Sequence, residues 1–204
     1  MGKCSKWKNK MTEVKVLIEG YAKQFDKGMF ASCSTVLIKD SGKNILVDPG
    51  CNPNLLIESL KKEKLQLKDI DLIFLTHYHP DHVLNVKLFQ KRDVLDGGVI
   101  YRDDLEIEFE DKIPGTNIKF ILTPGHAHEQ ASLIVETAQG KIVIASDLFW
   151  WKDEDEQKTD YKSLMNLKDP YVKNEKDLKE SRKKVLEIAD YIIPGHGKMF
   201  KVQK

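Results

Sequence analysis

The chain has 204 residues, with 33 lysines and arginines against 32 aspartates and glutamates, and its formal net charge is +1. This length fits a single domain, and a hydrophobic content of 41% supplies a core for it. The balanced charge argues against a nucleic-acid binder that works by bulk positive charge.

The N-terminus is basic, with four lysines among the first ten residues. We interpret residues 1–12 as a basic arm that precedes one domain at residues 13–204. No apolar run approaches the roughly 18 residues that a membrane span requires, and no apolar segment follows the basic start as a secretory signal would demand. The three cysteines follow no disulfide spacing. These features predict a cytoplasmic protein without a membrane segment.

Strand-like and helix-like segments alternate along the chain, a pattern typical of α/β proteins. Asn52 is a plausible N-cap with Pro53 in the first helical position, and it opens a helix that runs to about residue 64. A second helix is predicted over 175–189. The predicted strands cover residues 14–19, 33–38, 45–47, 72–75, 99–101, 105–109, 118–122, 132–136, 141–145 and 191–193.

A short repeat relates two parts of the sequence. In each part a turn and a buried strand end in an aspartate, and an Asp-led apolar strand further on ends in a histidine. Two β-rich halves flanked by helices would stack sheet on sheet. The four strand ends could then meet along one edge, and they carry Asp48, His77, Asp147 and His196.

The segment 148–174 differs from the rest because it has no clear period. It begins with Trp150 and Trp151 and continues into the acidic run 153–156. Its length favours a lid or binding-loop insertion over a plain linker. The tryptophans either form an exposed recognition surface or pin this segment to the core.

The strongest chemical signal is His77-Tyr-His-Pro-Asp-His82, which directly follows a predicted buried strand. Imidazole and carboxylate are ligands that suit zinc, iron or manganese. Pro80 argues against a regular helix here, so we predict a loop at the carboxyl end of the strand. Such a loop can direct His77 and His79 to one ion and the remaining two ligands, Asp81 and His82, to a neighbouring ion.

Three further candidates share the same context at the end of an apolar strand. His126 follows Pro124-Gly125, Asp147 ends a buried strand, and His196 lies between two glycines. Glycine gives a short turn the backbone freedom to direct a side chain inward. Five of the six histidines therefore have one geometric explanation, a shared metal site.

The ordered set His77-X-His-X-Asp-His82, His126, Asp147 and His196 resembles the metallo-β-lactamase superfamily over about residues 14–202. The resemblance implies a single-domain, four-layer αβ/βα sandwich of the mixed α/β class. It also implies two metal ions per chain, most often zinc, with iron or manganese possible. By position, the implied ligands are His77, His79 and His126 for one metal and Asp81, His82 and His196 for the other.

The same resemblance implies roles for two aspartates outside these triplets. Asp147 would bridge the two metals, and Asp48 would orient the histidine loop rather than bind metal. Ser146 departs from the superfamily pattern, which often has glycine before the bridging aspartate. An aspartate rather than a cysteine at position 147 argues against a true β-lactamase.

One branch of the superfamily is more similar than the others. Residues 180–202, and Ser146-Asp-Leu-Phe149 with the acidic stretch after it, resemble the metallo-β-lactamase domain-containing protein 1 family. That family is linked to RNA phosphodiester cleavage. The resemblance implies a hydrolase that acts on RNA phosphodiester bonds, with a metal-bridging hydroxide held by Asp81 and Asp147. His128 is a weaker candidate, as general acid, substrate contact or plain surface residue.

Two other functions stay open at this point. One is a small-molecule thioester or lactone hydrolase of the glyoxalase II or lactonase type, acting on a carbonyl substrate. The other is a binding protein that keeps its metals for stability and has no turnover. The acidic run 153–156 would repel an RNA backbone. The composition does not separate a monomer from a homodimer.

Overall fold

Two β-sheets with alternating apolar residues form the centre of the protein. The computed structural model describes residues 12–203, so nearly all of the basic arm predicted at 1–12 lies outside them. The first sheet has seven strands in the order β1-β4-β5-β6-β7-β8-β9. These strands are β1 (Glu13–Ile18), β4 (Thr35–Asp40), β5 (Lys43–Val47), β6 (Leu72–Phe74), β7 (Asp93–Leu95), β8 (Val99–Arg102) and β9 (Leu105–Glu108).

The second sheet has five strands in the order β10-β11-β12-β13-β14. A separate two-stranded hairpin joins β2 (Tyr21–Phe25) to β3 (Gly28–Ser32). This hairpin was not predicted, and neither was β7. The strands of the second sheet are β10 (Lys119–Leu122), β11 (Ala131–Thr137), β12 (Gly140–Trp150), β13 (Tyr191–His196) and β14 (Phe200–Lys201).

Four helices complete the described part of the chain: α1 (Pro53–Lys62), α2 (Pro80–Val83), α3 (Tyr161–Met165) and α4 (Glu175–Ile188). The predicted cap of α1 is present, because the Asn52 side chain accepts a hydrogen bond from the Leu55 amide at 3.1 Å. Asn174 caps α4 in the same way through the amides of Lys176 and Asp177. No helix among residues 12–203 is long and apolar enough to cross a membrane.

Period-two alternation explains the layering. In β4 and β5, Val36, Ile38, Ile45 and Val47 point into one core between the sheets, where they meet residues such as Leu133 of the second sheet. The intervening leucines of the first sheet pack in a second cluster with α1. The outer face of the second sheet packs against α4 in a third cluster. Both faces of each sheet are therefore covered, which confirms the four-layer sandwich.

The repeat in the sequence corresponds to equivalent strand pairs in the two sheets. β5 pairs with β6 in parallel, with Val47 opposite Phe74. β12 pairs with β13 in parallel, with Ile144 opposite Ile193. Because parallel neighbours end on the same side, each pair delivers its aspartate and its histidine to one edge of its sheet.

The segment 148–174 is more ordered than its sequence predicts. β12 continues through Trp150, and α3 lies within the segment. Trp150 and Trp151 are each only 5% exposed. This agrees with the alternative in which they pin the segment to the core and not with an exposed recognition surface. A lid function for the segment stays a prediction.

Candidate metal centre

The residues predicted as metal ligands converge at the edge where the two sheets meet. The first sheet contributes the residues that follow β6, and the second contributes residues after β10 and within β12 and β13. In the described chain, three sets of candidate ligand atoms each lie within 4.8 Å of one another; Cys33, Asp48 and His82 form one, and the other two consist of predicted ligands alone. The first set is His77, His79, His126 and Asp147, and the second is Asp81, His82 and His196.

The local structure of the histidine motif corrects one expectation. We predicted a loop for all six residues, but the loop ends at His79 and α2 begins at Pro80. Proline is well accommodated in the first turn of a helix because that position needs no amide donor. Asp81 and His82 therefore lie on α2, and the helix directs both side chains toward the second set.

Asp147 lies between the two sets. Its Oδ2 is 3.2 Å from Nε2 of His126 and 3.9 Å from Nε2 of His77. Its Oδ1 is 3.4 Å from Nε2 of His82 and 3.9 Å from Nε2 of His196. One carboxylate thus presents a different oxygen to each set, as the bridging role requires.

Four of the histidines form a hydrogen bond to a neighbouring group through Nδ1, the ring nitrogen that points away from the centre. Nδ1 of His77 lies 3.1 Å from the Thr76 hydroxyl, and Nδ1 of His82 lies 2.9 Å from Asp48 Oδ2. Nδ1 of His126 lies 2.7 Å from Asp169 Oδ2, and Nδ1 of His196 lies 3.0 Å from a backbone carbonyl, that of Tyr21. A proton on each Nδ1 leaves the Nε2 lone pairs free to face the centre.

Buried polar atoms without partners show that the centre suits a cation. Nε2 of His77, Nε2 of His82 and Oδ1 of Asp147 are buried and have no hydrogen-bond partner among the described residues. Such atoms are costly to bury unless something compensates them. All three are metal-ligand types, and all three face the centre, so the residues present fit a pair of divalent cations.

The charged groups in the cluster shift one another's pKa values. Burial lowers the pKa of His77 well below its usual value, which keeps its imidazole neutral. Burial alone would raise the pKa of Asp147, but the charge of His82 and a hydrogen bond from His126 hold it well below its usual value. Burial also opposes protonation of His126, yet hydrogen bonds to Asp147 and Asp169 raise its pKa to about 9. The protons shared here are those that a cation would displace.

Asp48 supports the motif from beneath. Its carboxylate accepts hydrogen bonds from the Thr76 amide at 2.8 Å and the Thr76 hydroxyl at 2.7 Å, besides its contact with His82. The Ser146 hydroxyl lies 2.8 Å from the Thr76 hydroxyl and 3.4 Å from Asp48 Oδ2. The serine that departs from the superfamily pattern thus joins the polar network under the histidines, although its φ of 50° is one that glycine adopts more easily.

Two further residues near the centre are His128, which was predicted as a candidate, and Asp169, which was not. His128 is exposed and does not belong to either set of ligand atoms. Asp169 was not predicted, although its side chain is fully buried against His126. The signal in the sequence was weak, because one aspartate before Pro170 in an irregular segment resembles an ordinary turn.

A cavity of about 400 Å³ opens onto the centre. Ligand-type residues and apolar side chains line it, and no lysine or arginine does so in the described chain. The lining residues that matter for substrate size are Met29, Leu84, Trp150 and Tyr171.

Comparison with known proteins agrees with this centre. The sequence profile described as "Metallo-beta-lactamase superfamily" matches residues 28–107. Metallo-beta-lactamase domain-containing protein 1 from Xenopus laevis is 31% identical over 201 residues, covering 94% of this chain and 82% of that protein.

Solved structures show the same fold at lower identity. A Thermotoga maritima protein described as a metallo-β-lactamase has a TM-score of 0.68 at 19% identity, covering 94% of this chain and all of that one. The dizinc quorum-quenching lactonase AidC has a TM-score of 0.58 at 17% identity, covering 83% and 74%. Another relative, with a TM-score of 0.58 at 20% identity over 83% and 90%, was solved in a di-iron-bound form. The chain belongs to the metallo-β-lactamase superfamily, as a metal-dependent hydrolase related to Metallo-beta-lactamase domain-containing protein 1.

Proposed function

We propose that the protein is a two-metal hydrolase, with zinc as its native metal. The observation that supports this most directly is the position of Asp147, whose two oxygens face separate sets of ligand atoms. The proposed ligands are those implied by the resemblance, and Asp147 is shared. When bound, two such cations lower the pKa of water toward about 7 and stabilise negative charge on a substrate oxygen. Iron stays an alternative, given the di-iron form of one relative.

The chain's own residues would orient the reacting groups. Asp81 lines the cavity with its side chain 24% exposed, and its Oδ2 lies 3.2 Å from Nε2 of His196. It can therefore accept a hydrogen bond from a water molecule in the cavity while His196 fixes its direction. Asp147 is almost fully buried and would hold its charge for the same purpose. His128 lies outside this arrangement, so we assign it no role in proton transfer.

The cavity favours a small, uncharged carbonyl compound as substrate, such as an ester, thioester or lactone. Met29, Leu84, Trp150 and Tyr171 offer apolar surface, and no cation among the described lining residues would bind a phosphate. A cavity of about 400 Å³ is in the range that encloses a small molecule. The fold neighbour AidC, a dizinc lactonase, supports the same chemistry.

RNA phosphodiester is the second candidate. Two metals suit in-line displacement at phosphorus. A larger groove, of about 1170 Å³, shares Trp150 with the cavity and carries Lys152, Lys158, Lys168 and Lys179. These lysines could follow a nucleic-acid backbone, although four acidic residues, Asp155, Glu156, Asp169 and Glu175, line the same groove.

The test begins with metal content per chain, measured by elemental analysis on purified protein. Zinc-loaded enzyme is then offered thioesters, lactones and a labelled single-stranded RNA, with the Asp147→Ala variant as control. Two metals with ester or lactone turnover that the variant loses would support the first candidate. Metal-dependent RNA cleavage would support the second. Two metals with no turnover on any substrate would favour the non-catalytic binding protein and contradict the proposal.

We also propose that the protein works in the cytoplasm. Cys33 and Cys51, the cysteines in the described part of the chain, are both free thiols. Free thiols persist in a reducing compartment. Fractionation of cells that express a tagged protein would test this, and recovery in an oxidising compartment would contradict it.

A further inference from the structure

A buried carboxylate in the segment 148–174 contacts the candidate metal centre from outside. The side chain of Asp169 is 0% exposed, and its Oδ2 lies 2.7 Å from Nδ1 of His126. On the opposite side of the same ring, Nε2 of His126 lies 3.2 Å from Asp147 Oδ2. The imidazole is thus held between two carboxylates. With its proton on Nδ1, donated to Asp169, its Nε2 lone pair faces the centre.

The second oxygen of Asp169 contacts the cavity wall. Its Oδ1 accepts hydrogen bonds from the Trp150 indole at 3.3 Å and from the Tyr171 amide at 3.0 Å. Trp150 and Tyr171 both line the cavity, and the Trp150 ring centroid lies 5.9 Å from that of His196. One carboxylate therefore touches a proposed ligand of the first metal and a residue that packs on a ligand of the second.

The surrounding backbone fixes the position of this carboxylate. The amides of Lys173 and Asn174 both donate to the Gly125 carbonyl, next to His126, at 2.8 and 3.0 Å. The buried Arg182 donates to the carbonyls of Leu148 and Leu167, at 2.7 and 2.6 Å. The segment that carries Asp169 is thus tied to the turn of His126 and to the end of β12.

The contact between Asp169 and His126 has a counterpart in the second set of ligands. In the second set, Nδ1 of His82 is hydrogen-bonded to the Asp48 carboxylate. In the first set, Nδ1 of His77 is hydrogen-bonded to a hydroxyl, and Nδ1 of His126 is hydrogen-bonded to Asp169. Each set therefore contains one histidine backed by a buried carboxylate, which orients the ring and makes its free nitrogen more basic.

We propose that Asp169 is a positioning residue that fixes the orientation and the tautomer of His126 for metal binding. This inference rests on the two-metal hydrolase proposed above. Asp169 itself does not reach the reacting atoms, and it acts through His126. Its contact with Trp150 is the alternative explanation for any effect, since loss of Asp169 would also release the cavity wall.

The test compares four variants with the zinc-loaded wild-type protein. Asp169→Ala removes the acceptor, and Asp169→Asn keeps one acceptor oxygen without the charge. Trp150→Phe removes the indole donor but leaves the His126 contact intact. Asp104→Asn, at an exposed position between β8 and β9, repeats the charge change of Asp169→Asn away from the site. Metal content, zinc affinity by chelator competition, and histidine ¹⁵N spectra are measured for each.

We expect a 10- to 100-fold weaker affinity for one of the two zinc ions in Asp169→Ala, with a smaller loss in Asp169→Asn. The ¹⁵N spectrum should lose the defined Nδ1–H signal of one metal-bound histidine in Asp169→Ala. Trp150→Phe and Asp104→Asn should keep the wild-type zinc affinity and the Nδ1–H signal. If Asp169→Ala does not fold, Asp169→Asn carries the test.

Two results would overturn the inference. One is wild-type zinc affinity and an unchanged histidine spectrum in the folded Asp169 variants. The other is the same loss of affinity in Trp150→Phe, which would assign the effect to the cavity wall. A wild-type protein that fails to bind two metals would instead contradict the proposed function, so the two failures are distinguishable.

Discussion

At the scale of single residues, Asp48 shows how much one buried carboxylate organises. It follows β5 in a left-handed conformation, with a φ of 48°, and it holds both Thr76 and His82. Aspartate and asparagine tolerate this conformation better than most residues. The backbone geometry and the polar contacts thus favour the same residue type.

Asp48→Asn should lower the free energy of unfolding by about 2 kcal/mol, because hydrogen bonds to a charged group each contribute about 1.5–3 kcal/mol. Asparagine keeps the left-handed backbone, removes the charge and replaces one acceptor oxygen with an amide donor. Urea denaturation of the metal-free protein measures the change. Asp103→Asn is the matched control, since Asp103 also has a positive φ, of 53°, but is exposed. Equal stability of the two variants would show that the Asp48 charge is not needed.

At the scale of elements, the close pairing of β12 with β13 leaves no room beside Asp147. A Cβ on Gly195 would lie 1.7 Å from Asp147 Oδ1, far closer than two atoms can approach. Gly195 is therefore required by space and not by an unusual φ. This links the packing of two strands to the position of the proposed bridging ligand.

Gly195→Ala should displace Asp147 or separate the strands, at a cost of about 1–3 kcal/mol in stability. We also expect it to bind fewer than two metals per chain. Elemental analysis and urea denaturation measure the two effects. Gly98→Ala serves as control, because its added Cβ meets no atom within 4 Å. Two metals in Gly195→Ala would contradict the packing argument.

Hydrogen bonds to Asp40 connect the β4–β5 hairpin to the loop before β10. Asp40 accepts hydrogen bonds from the Asn117 amide and the Ser41 hydroxyl, both at 2.8 Å. Burial alone would raise the pKa of Asp40, but these hydrogen bonds and one from Thr12 lower it below its usual value. The charged form is therefore favoured in the folded protein.

This shift sets the sign of a pH effect. A lowered pKa contributes stability above the unfolded pKa, which is about 3.9 for aspartate, and the contribution is lost as the pH falls through the folded pKa. Asp40→Asn should thus reduce stability by about 1 kcal/mol at pH 7 and by much less in strong acid. Denaturation curves from pH 7 to pH 2.5 would measure this. A difference that persists unchanged in acid would contradict it, and exposed Asp104→Asn should show no such trend.

At the scale of the whole molecule, the candidate metal centre lies between the two sheets. The first sheet supplies the proposed ligands from His77 to His82, and the second supplies His126, Asp147 and His196. A cation bound by both would hold the halves together. It would also compensate the buried polar atoms that otherwise oppose folding.

Removal of metal should therefore lower Tm. Binding at a thousandfold excess over Kd stabilises a protein by about 4 kcal/mol, and each kcal/mol is worth about 2–4 °C in a chain of this size. We expect a fall of roughly 10 °C with a chelator and its reversal by added zinc. Differential scanning fluorimetry measures both. Asp147→Ala should respond much less to the chelator, and an equal response would contradict the role of Asp147.

The sequence by itself determined the layered fold and most of the proposed centre. Alternating apolar residues, the N-cap before α1, and aspartates and histidines at strand ends are local signals, because side-chain spacing follows directly from backbone geometry. The histidine motif was found in the same way. Its helix α2 was missed because proline ends a helix and also begins one, and a run of four residues is too short to show a period.

Only the tertiary structure decided the contacts between segments distant in sequence. Asp169 meets His126 across 43 positions, and Ser146 meets Thr76 across 70. The charge environment of the cavity likewise depends on which side chains the β2–β3 hairpin and the segment 148–174 bring to the site. No local pattern encodes such pairings, since they arise when burial of the two sheets brings remote residues together and leaves their polar groups to find partners.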